Sequence, residues 1–228
     1  MSKHASVLTK KVLKSPNDSF PVIQDHGKAL KMVDDYSQVH PKRIVSLSPS
    51  NTEILFAVGA SDTVVGVTDY CNHPPELEAR IENDEITRVG GYWDPSIESI
   101  VELNPDLVLV STAQCTVKTN NCKTNCSRRC ELTTKVANRL KNLGLTVLTL
   151  SPHSIKDVLD NVLLVGKATG KSDQAGNLVE TLKQRIDRVV RKSKTNSNRP
   201  RVYFEVWNNP YISVNSETWI GNLISLAG

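Results

Sequence analysis

The fold of this protein is decided by the stretch Lys42–Gly59, which reads KRIVSLSPSNTEILFAVG. The run Ile44–Ser48 predicts a buried strand, and the apolar run Ile54–Val58 predicts a helix that ends at Gly59. Between them, Ser50-Asn-Thr-Glu53 has the spacing of a capping box, in which the serine and the glutamate cap the first helical turn. A short strand followed at once by a helix is the repeating unit of a parallel α/β sheet.

The same strand–helix unit recurs further along the chain. Other strands are predicted at Val64–Thr68, Asp106–Val110 and Thr146–Leu150, with helices from Asp94 to Leu103 and from about Leu132 to Leu143. Strands that alternate with helices in this way form a parallel sheet covered on both faces. We therefore predict one doubly wound α/β lobe over residues 20–152, which starts with a β-hairpin around Gly27 and follows a polar tail at residues 1–19.

Two consecutive helices are predicted over residues 153–196 and would connect this lobe to a second one. Ser154 is suited to cap the first helix and Gly170 to end it, and the second helix repeats its apolar positions every three or four residues. Residues 197–228 predict one strand, Val202–Val206, and one further helix. A single strand and helix cannot cover each other's apolar faces, so the second lobe is predicted to be incomplete.

Composition places the chain among globular proteins, because 39% of its residues are hydrophobic and 23% are charged. Lysine and arginine exceed aspartate and glutamate by 28 to 24, a surplus too small and scattered to indicate a nucleic-acid partner. No apolar run is long enough to span a bilayer, and the N-terminal residues have no signal-peptide core. A cytoplasmic location is therefore expected from the sequence as written.

No sequence motif indicates catalysis. The chain lacks a Gly-rich phosphate loop, a G-x-S-x-G nucleophile elbow and an H-E-x-x-H zinc motif. Its five histidines show no ligand spacing. We therefore expect a binding protein rather than an enzyme.

Several motifs, in order along the chain, carry a resemblance to a known family. They are Lys42–Gly59, Val65–Tyr70, Pro74-Pro75, Gly90-Gly91, Ile97–Val101, Asn104–Val108 and the segment from Tyr203 to Gly228, and Ser46–Glu53 with Tyr70 carries the likeness to one branch of that family. The chain resembles the iron-chelate and cobalamin periplasmic substrate-binding proteins of ABC importers, and most closely the cobalamin-binding branch. The resemblance implies a class III periplasmic-binding-protein fold, with two doubly wound lobes joined by a long helix and the second lobe truncated here. The ligand would lie between the lobes at the carboxyl ends of the strands, where open α/β sheets generally bind ligands.

The resemblance also implies which aromatic side chains face the ligand. Tyr70 and Tyr92 match the family's aromatic positions on the first lobe, and Trp207 lies near the corresponding wall of the second. A corrin or iron-chelate ring is a wide, mostly apolar disc, and aromatic faces such as these and that of Trp93 suit it. The alternative for each is ordinary packing of an amphipathic aromatic residue at the surface.

Polar residues complete the site that the resemblance implies. Ser48 and Asn51, in the first strand–helix loop, are candidate hydrogen-bond donors to the ligand, although helix capping explains this region nearly as well. Glu98 matches the first-lobe glutamate that forms salt bridges with arginines on the importer's membrane subunits. A carboxylate that only interacts with its own helix dipole is the alternative for Glu98.

Four cysteines form a cluster that the family pattern does not supply. Cys115, Cys122, Cys126 and Cys130 have the spacing C-x6-C-x3-C-x3-C. Thiolates this close along the chain suit a zinc ion or an iron–sulfur cluster. Two disulfides, or reversible ligation of the cargo metal, are the alternatives.

Two functions of different classes follow from these features. The first is a substrate-binding component that holds cobalamin or a related corrinoid or iron chelate in an interlobe cleft for import. The second is an intracellular metal-cluster or redox protein that is built on the same lobe and rests on the cysteine cluster. The resemblance favours the first, and it also implies a location outside the cytoplasm, in contrast to the cytoplasmic location expected from the sequence as written.

Overall fold

A computed structural model describes residues 40–111, 126–152, 154–195, 199–216 and 218–228. For residues 126–131 it describes the backbone alone. The predicted polar tail, the hairpin around Gly27, and both Cys115 and Cys122 lie outside these ranges.

A five-stranded parallel sheet forms the centre of the fold. Its strands are β1 (Ile44–Ser46), β2 (Val64–Val67), β3 (Thr87–Arg88), β4 (Leu107–Ser111) and β5 (Val147–Leu150), in the spatial order β3-β2-β1-β4-β5. Nearly every residue of the four longer strands is buried or half-buried, as expected when helices cover both faces of a sheet. Successive strands lie on one side of β1 as far as β3 and on its other side from β4 onwards. The boundary between β1 and β4 is therefore the topological switch point, where open α/β sheets bind ligands.

Six α-helices of the described residues accompany the sheet. They are α1 (Pro49–Ala57), α2 (Pro75–Glu82), α3 (Ile97–Glu102), α4 (Cys126–Asn142), α5 (Ile155–Ala168) and α6 (Ser172–Lys194). One face of the sheet packs against α1, α2, α5 and α6 in a core that includes Leu55, Leu77 and Val165. The opposite face packs against α3 and α4 through Ile100 and Leu140. The doubly wound α/β lobe predicted from the sequence is confirmed.

Two elements of this lobe were not predicted. The helix α2 has Leu77 as its one fully buried side chain and is otherwise largely charged, so its apolar periodicity is weak. The strand β3 has two residues, which is too short to show the alternation of a strand. Tertiary packing rather than local pattern therefore determines both elements.

The first helix begins earlier than the sequence indicated. Its N-cap is Ser48, whose Oγ accepts a hydrogen bond of 3.2 Å from the backbone N–H of Asn51. The predicted capping box of Ser50 and Glu53 is wrong, because both residues lie inside the helix. Pro49 at the first helical position has no N–H to satisfy and favours this earlier start.

The helices α5 and α6 pack closely against each other. The predicted cap at Ser154 is confirmed as a capping box: the N–H of Asp157 donates to the hydroxyl of Ser154, and the N–H of Ser154 donates to the carboxylate of Asp157. The contact between the helices depends on Gly166, where a Cβ atom would overlap the side chain of Ala175. The helix α5 contributes Leu159 and Val165 to the core under the sheet, so it belongs to the covering layer of the first lobe.

The C-terminal residues form a small hairpin and a helix. The strands β6 (Glu205–Asn208) and β7 (Tyr211–Ser213) pair antiparallel, and α7 (Trp219–Ala227) follows and packs against α6. The predicted strand Val202–Val206 is shifted towards the C-terminus, because the pairing partner present here is β7. Among the described residues, no helix is long and apolar enough to cross a membrane.

The apolar side chains of this hairpin and of the residues that lead into it are largely exposed. They are Val202, Tyr203, Phe204, Val206, Trp207, Tyr211 and Ile212. Exposure of this many large apolar residues on one small element indicates a surface that is normally covered.

Candidate functional site

The loops that follow the parallel strands bring the predicted site residues to one side of the sheet, which we call the carboxyl edge. Ser48 and Asn51 follow β1, Tyr70 follows β2, and Tyr92 and Trp93 follow β3. The polypeptide fold therefore places five of the six predicted ligand-binding residues at the same edge, with Asn51 in the first turn of α1 and the others in the loops or at the helix cap.

Tyr92 lies across the switch point of the sheet. Its hydroxyl donates a hydrogen bond of 3.3 Å to the carbonyl oxygen of Ser111, at the end of β4. Because β2 and β1 lie between β3 and β4, the segment that carries Tyr92 runs over the ends of both strands. The ring of Trp93 meets that of Tyr92 edge to face, with centroids 4.4 Å apart and planes at 84°. This arrangement is a favourable one for two aromatic rings.

The turn that presents these aromatic rings depends on two glycines. Gly90 has a φ of +95°, a conformation that L-residues with a side chain rarely adopt, and it forms an isolated antiparallel bridge with Pro95. At Gly91, a Cβ atom would overlap the carboxylate of Asp94. The chain closes this turn with a hydrogen bond of 2.7 Å from the N–H of Ser96 to the carbonyl of Val89, which precedes the glycines.

Tyr70 lies beside this turn and is 62% exposed. Its ring edge is 4.0 Å from the position that a Cβ of Gly91 would occupy, so a side chain there would touch the tyrosine. The N–H of Asp69 donates to the carbonyl of Gly90 over 2.9 Å, which joins the two loops. Tyr70, Tyr92 and Trp93 therefore form one group of aromatic side chains at the carboxyl edge.

A buried polar network lies beneath the Tyr70 loop, which we define as residues 68–71. The sulfur of Cys71 is 3.2 Å from the hydroxyls of both Thr52 and Thr68, and Thr52 donates over 2.8 Å to the hydroxyl of Ser46. Cys71 is completely buried. Nothing in the local sequence pattern indicated these partners of Cys71.

The two polar candidates after β1 are buried. The hydroxyl of Ser48 caps α1 and also lies 2.9 Å from that of Ser50. The side-chain nitrogen of Asn51 is buried and has no hydrogen-bond partner in the part of the chain that the structure describes. A buried amide without a partner is costly. The side-chain N–H₂ of Asn51, at the first turn of α1, is therefore a candidate donor to a bound ligand.

Glu98 occupies the second position of α3, just after its N-cap, Ser96. Its side chain is 75% exposed, and one carboxylate oxygen is 3.5 Å from a guanidinium nitrogen of Arg139 on α4. An exposed pair of this kind contributes little to stability. The carboxylate is therefore available to another positively charged group.

Trp207 stands apart from the first-lobe aromatic group. It lies on β6, is 57% exposed, and donates from its indole N–H to the carbonyl of Asn209 over 2.9 Å within the same hairpin. Its predicted role as the opposite wall of the cleft stays a prediction.

The predicted cysteine site falls largely outside the described ranges. Cys126 and Cys130 belong to the first turns of α4, where the backbone alone is described. Within the described ranges, no group of three or more histidine, cysteine, aspartate or glutamate side chains could hold a metal ion. The four-cysteine site is therefore not tested by the described side chains and stays a prediction.

The site offers aromatic faces and few polar groups, which suits a flat, apolar ligand better than a small charged one. In a comparison against protein families, the periplasmic binding proteins match residues 44–228. The chain belongs to the periplasmic binding protein family. Its fold class is that of the class III periplasmic binding proteins, as predicted from the sequence.

Individual members of this family show the extent of the similarity. An uncharacterized ABC transporter substrate-binding lipoprotein of Bacillus subtilis is 30% identical over 217 residues, which cover 93% of this chain and 61% of the relative. A vitamin B12-binding protein of Vibrio cholerae is 26% identical over 188 residues, or 82% of this chain and 59% of the relative. This chain thus spans about three fifths of the length of these relatives.

The fold is also that of a solved family member. The periplasmic heme-binding protein RhuT from Roseiflexus sp. RS-1 superimposes with a TM-score of 0.64 at 22% identity. The match covers 82% of this chain and 64% of that protein.

These relatives bear on two further predictions. Their names describe substrate-binding proteins, and none supports the alternative of an intracellular metal-cluster or redox protein. The cytoplasmic location expected from the sequence is likewise unsupported, because one relative is named a lipoprotein and another periplasmic.

Proposed function

We propose that this chain binds a metal chelate, with cobalamin as the first candidate, as the substrate-binding component of an ABC importer outside the cytoplasm. Haem and ferric siderophores are the other ligands of this class. The observation that carries the proposal is the hydrogen bond from Tyr92 to Ser111, which fixes the tyrosine and its partner Trp93 over the switch point. Ligands of open α/β folds bind at this position.

The aromatic group provides the apolar surface that such a ligand needs. A corrin or porphyrin presents two wide faces, and burying an aromatic side chain against one of them contributes about 1.5–3 kcal/mol. Tyr70 is the most exposed member of the group and has the most surface to gain from contact. We expect Trp207 to contact the ligand from the C-terminal part, and Ser48 and Asn51 to lie nearest its polar substituents.

The relatives support cobalamin over the other chelates. A curated relative that covers 82% of this chain is named a vitamin B12-binding protein.

In the complete importer, the exposed carboxylate of Glu98 would form a salt bridge with arginines of the membrane subunits, because a charged group at a rim guides docking through complementary charge.

Equilibrium titration of the purified chain tests the proposal. Cyanocobalamin, haemin and ferrichrome are added separately while tryptophan fluorescence is followed. We expect saturable binding of at least one of them, and Tyr92→Ala should weaken it about tenfold or more, equivalent to ~1.4 kcal/mol. The matched control is Tyr211→Ala on β7, where the ring is 78% exposed and lies outside the carboxyl edge, so affinity should be unchanged. Binding of none of the three chelates would overturn the proposal.

A further inference from the structure

Arg88, the last residue of β3, makes an unusual number of contacts with the Tyr70 loop. One guanidinium nitrogen, Nη1, lies 2.9 Å from the carbonyl oxygen of Asp69, 3.3 Å from that of Cys71 and 3.4 Å from that of Thr68. The other nitrogen, Nη2, donates to both carboxylate oxygens of Glu78 on α2, over 2.9 and 3.2 Å. One side chain therefore joins three carbonyls of the loop to the neighbouring helix.

These contacts matter because the Tyr70 ring itself is not held by packing. The ring is 62% exposed, so its position depends on the backbone that carries it. The carbonyls of residues 68, 69 and 71 all point to one guanidinium, which fixes the direction of the peptide groups on both sides of Tyr70. A planar guanidinium can serve several acceptors at once in a fixed geometry, which an ammonium group cannot do.

We propose that Arg88 is a positioning residue for ligand binding, which holds the Tyr70 loop in its binding geometry while contacting no ligand itself. The inference rests on the proposed function, since Tyr70 is one of the aromatic residues assigned there to the ligand. Ordering of the Tyr70 loop in the unbound protein raises ligand affinity, because a loop that is already in place loses less conformational entropy on binding. Glu78 in turn orients the guanidinium and balances its charge.

Arg80 lies on α2, the helix that also carries Glu78, and it supplies a matched control. Its Nε donates to Glu85 over 2.8 Å, and its Nη1 donates to the carbonyl of Ser61 over 2.8 Å. The chemistry is the same, a guanidinium shared between a carboxylate and a backbone carbonyl. Ser61 precedes β2, however, so this contact lies at the opposite edge of the sheet from Tyr70.

Hydrogen–deuterium exchange in the absence of ligand tests the positioning step on its own. The N–H groups of Asp69 and Cys71 are hydrogen-bonded to Gly90 and Thr68 and exchange slowly only while the loop is ordered. We expect Arg88→Ala to accelerate exchange in the Tyr70 loop about tenfold, corresponding to ~1.4 kcal/mol of local stability, and Arg80→Ala to leave it unchanged. Unchanged exchange in Arg88→Ala would overturn the proposal whether or not the protein binds a chelate.

Titration with cyanocobalamin tests the consequence for binding. Arg88→Ala should weaken affinity about fivefold to tenfold, Arg88→Lys should restore only part of the loss, and Arg80→Ala should have no effect. The double variant Tyr70→Ala/Arg88→Ala should bind no more weakly than Tyr70→Ala, because Arg88 acts through the tyrosine. Additive losses in the double variant, or equal losses in Arg80→Ala, would overturn the positioning role. If the unaltered protein binds no chelate, the proposed function fails, and the exchange measurement alone decides what Arg88 does to the loop.

Discussion

The hydroxyl of Tyr92 and the carbonyl oxygen of Ser111 are 3.3 Å apart, although Tyr92 follows β3, Ser111 ends β4, and two other strands lie between β3 and β4 in the sheet. This hydrogen bond joins the β3–α3 loop to the end of β4. It therefore holds an aromatic ring over the switch point before any ligand is present.

Removal of the Tyr92 hydroxyl should measure what this hydrogen bond contributes. We expect Tyr92→Phe to lower the free energy of unfolding by about 0.5–1.5 kcal/mol, the net value of one partly buried hydrogen bond. Urea denaturation followed by circular dichroism gives the value. Tyr211→Phe, which changes an exposed phenol on β7, is the control and should have no effect. Equal stability of the two variants would show that the Tyr92–Ser111 bond is not formed in solution.

The stability of the buried network around Cys71 should fall even when a substitution hardly alters the shape of a side chain. Thr52→Val keeps the volume of the side chain but removes its bonds to Ser46 and Cys71, which should cost about 1–3 kcal/mol. On the exposed face of α6, Thr181→Val removes a hydroxyl that bonds only to its own helix at Asn177, and it should stay within ~0.5 kcal/mol of the parent. Chemical denaturation of both variants provides the comparison. A cost in Thr52→Val no larger than in Thr181→Val would contradict the network.

Alanine substitutions at two glycines near the contact between α5 and α6 should change the free energy of unfolding in opposite directions. Gly166→Ala places a methyl group against Ala175 and forces the helices apart, so we expect a loss of about 1–3 kcal/mol. Gly176→Ala lies where nothing is within 4 Å and should stabilise α6 by up to ~1 kcal/mol. Thermal unfolding midpoints would report both signs, and stabilisation by Gly166→Ala would contradict the close contact.

Substitution of Glu98 should weaken docking without affecting folding or ligand binding. Because its pair with Arg139 is exposed, Glu98→Ala should change the free energy of unfolding by less than ~0.5 kcal/mol. Ligand affinity should also stay unchanged, whereas stimulation of importer ATPase activity should fall. Arg139→Ala is the companion variant, and it should leave that stimulation intact. Undiminished stimulation with Glu98→Ala would remove the docking role.

Local sequence signals predicted the first lobe well because each of its longer elements has a clear pattern. The apolar runs of β1, β2, β4 and β5 are those of strands buried on both faces. Short or charged elements escaped prediction: β3 has two residues, and α2 buries one side chain completely. At the C-terminus, pairing with β7 rather than strand propensity set the position of β6.

The candidate site was predictable in part. Motif resemblance identified Tyr70 and Tyr92, and the rule that ligands bind at carboxyl ends of strands predicted that they would lie on one edge. Arg88 and Cys71 were not assigned roles, because their partners are carbonyls and hydroxyls that nearly every sequence contains. A backbone carbonyl carries no sequence signal, so such contacts emerge only once the chain is folded.

The sequence by itself determined that this chain is a parallel α/β protein of the periplasmic binding protein family, with aromatic residues placed just after its strands. Patterns of apolar residues suffice for the α/β class, because they act over a few residues at a time. The family followed instead from the resemblance of several motifs in order along the chain. The tertiary structure alone decided that Tyr92 crosses the sheet to Ser111 and that Arg88 holds the Tyr70 loop. Both contacts join residues about twenty positions apart across different strands, and their geometry follows from the order of the strands in the sheet.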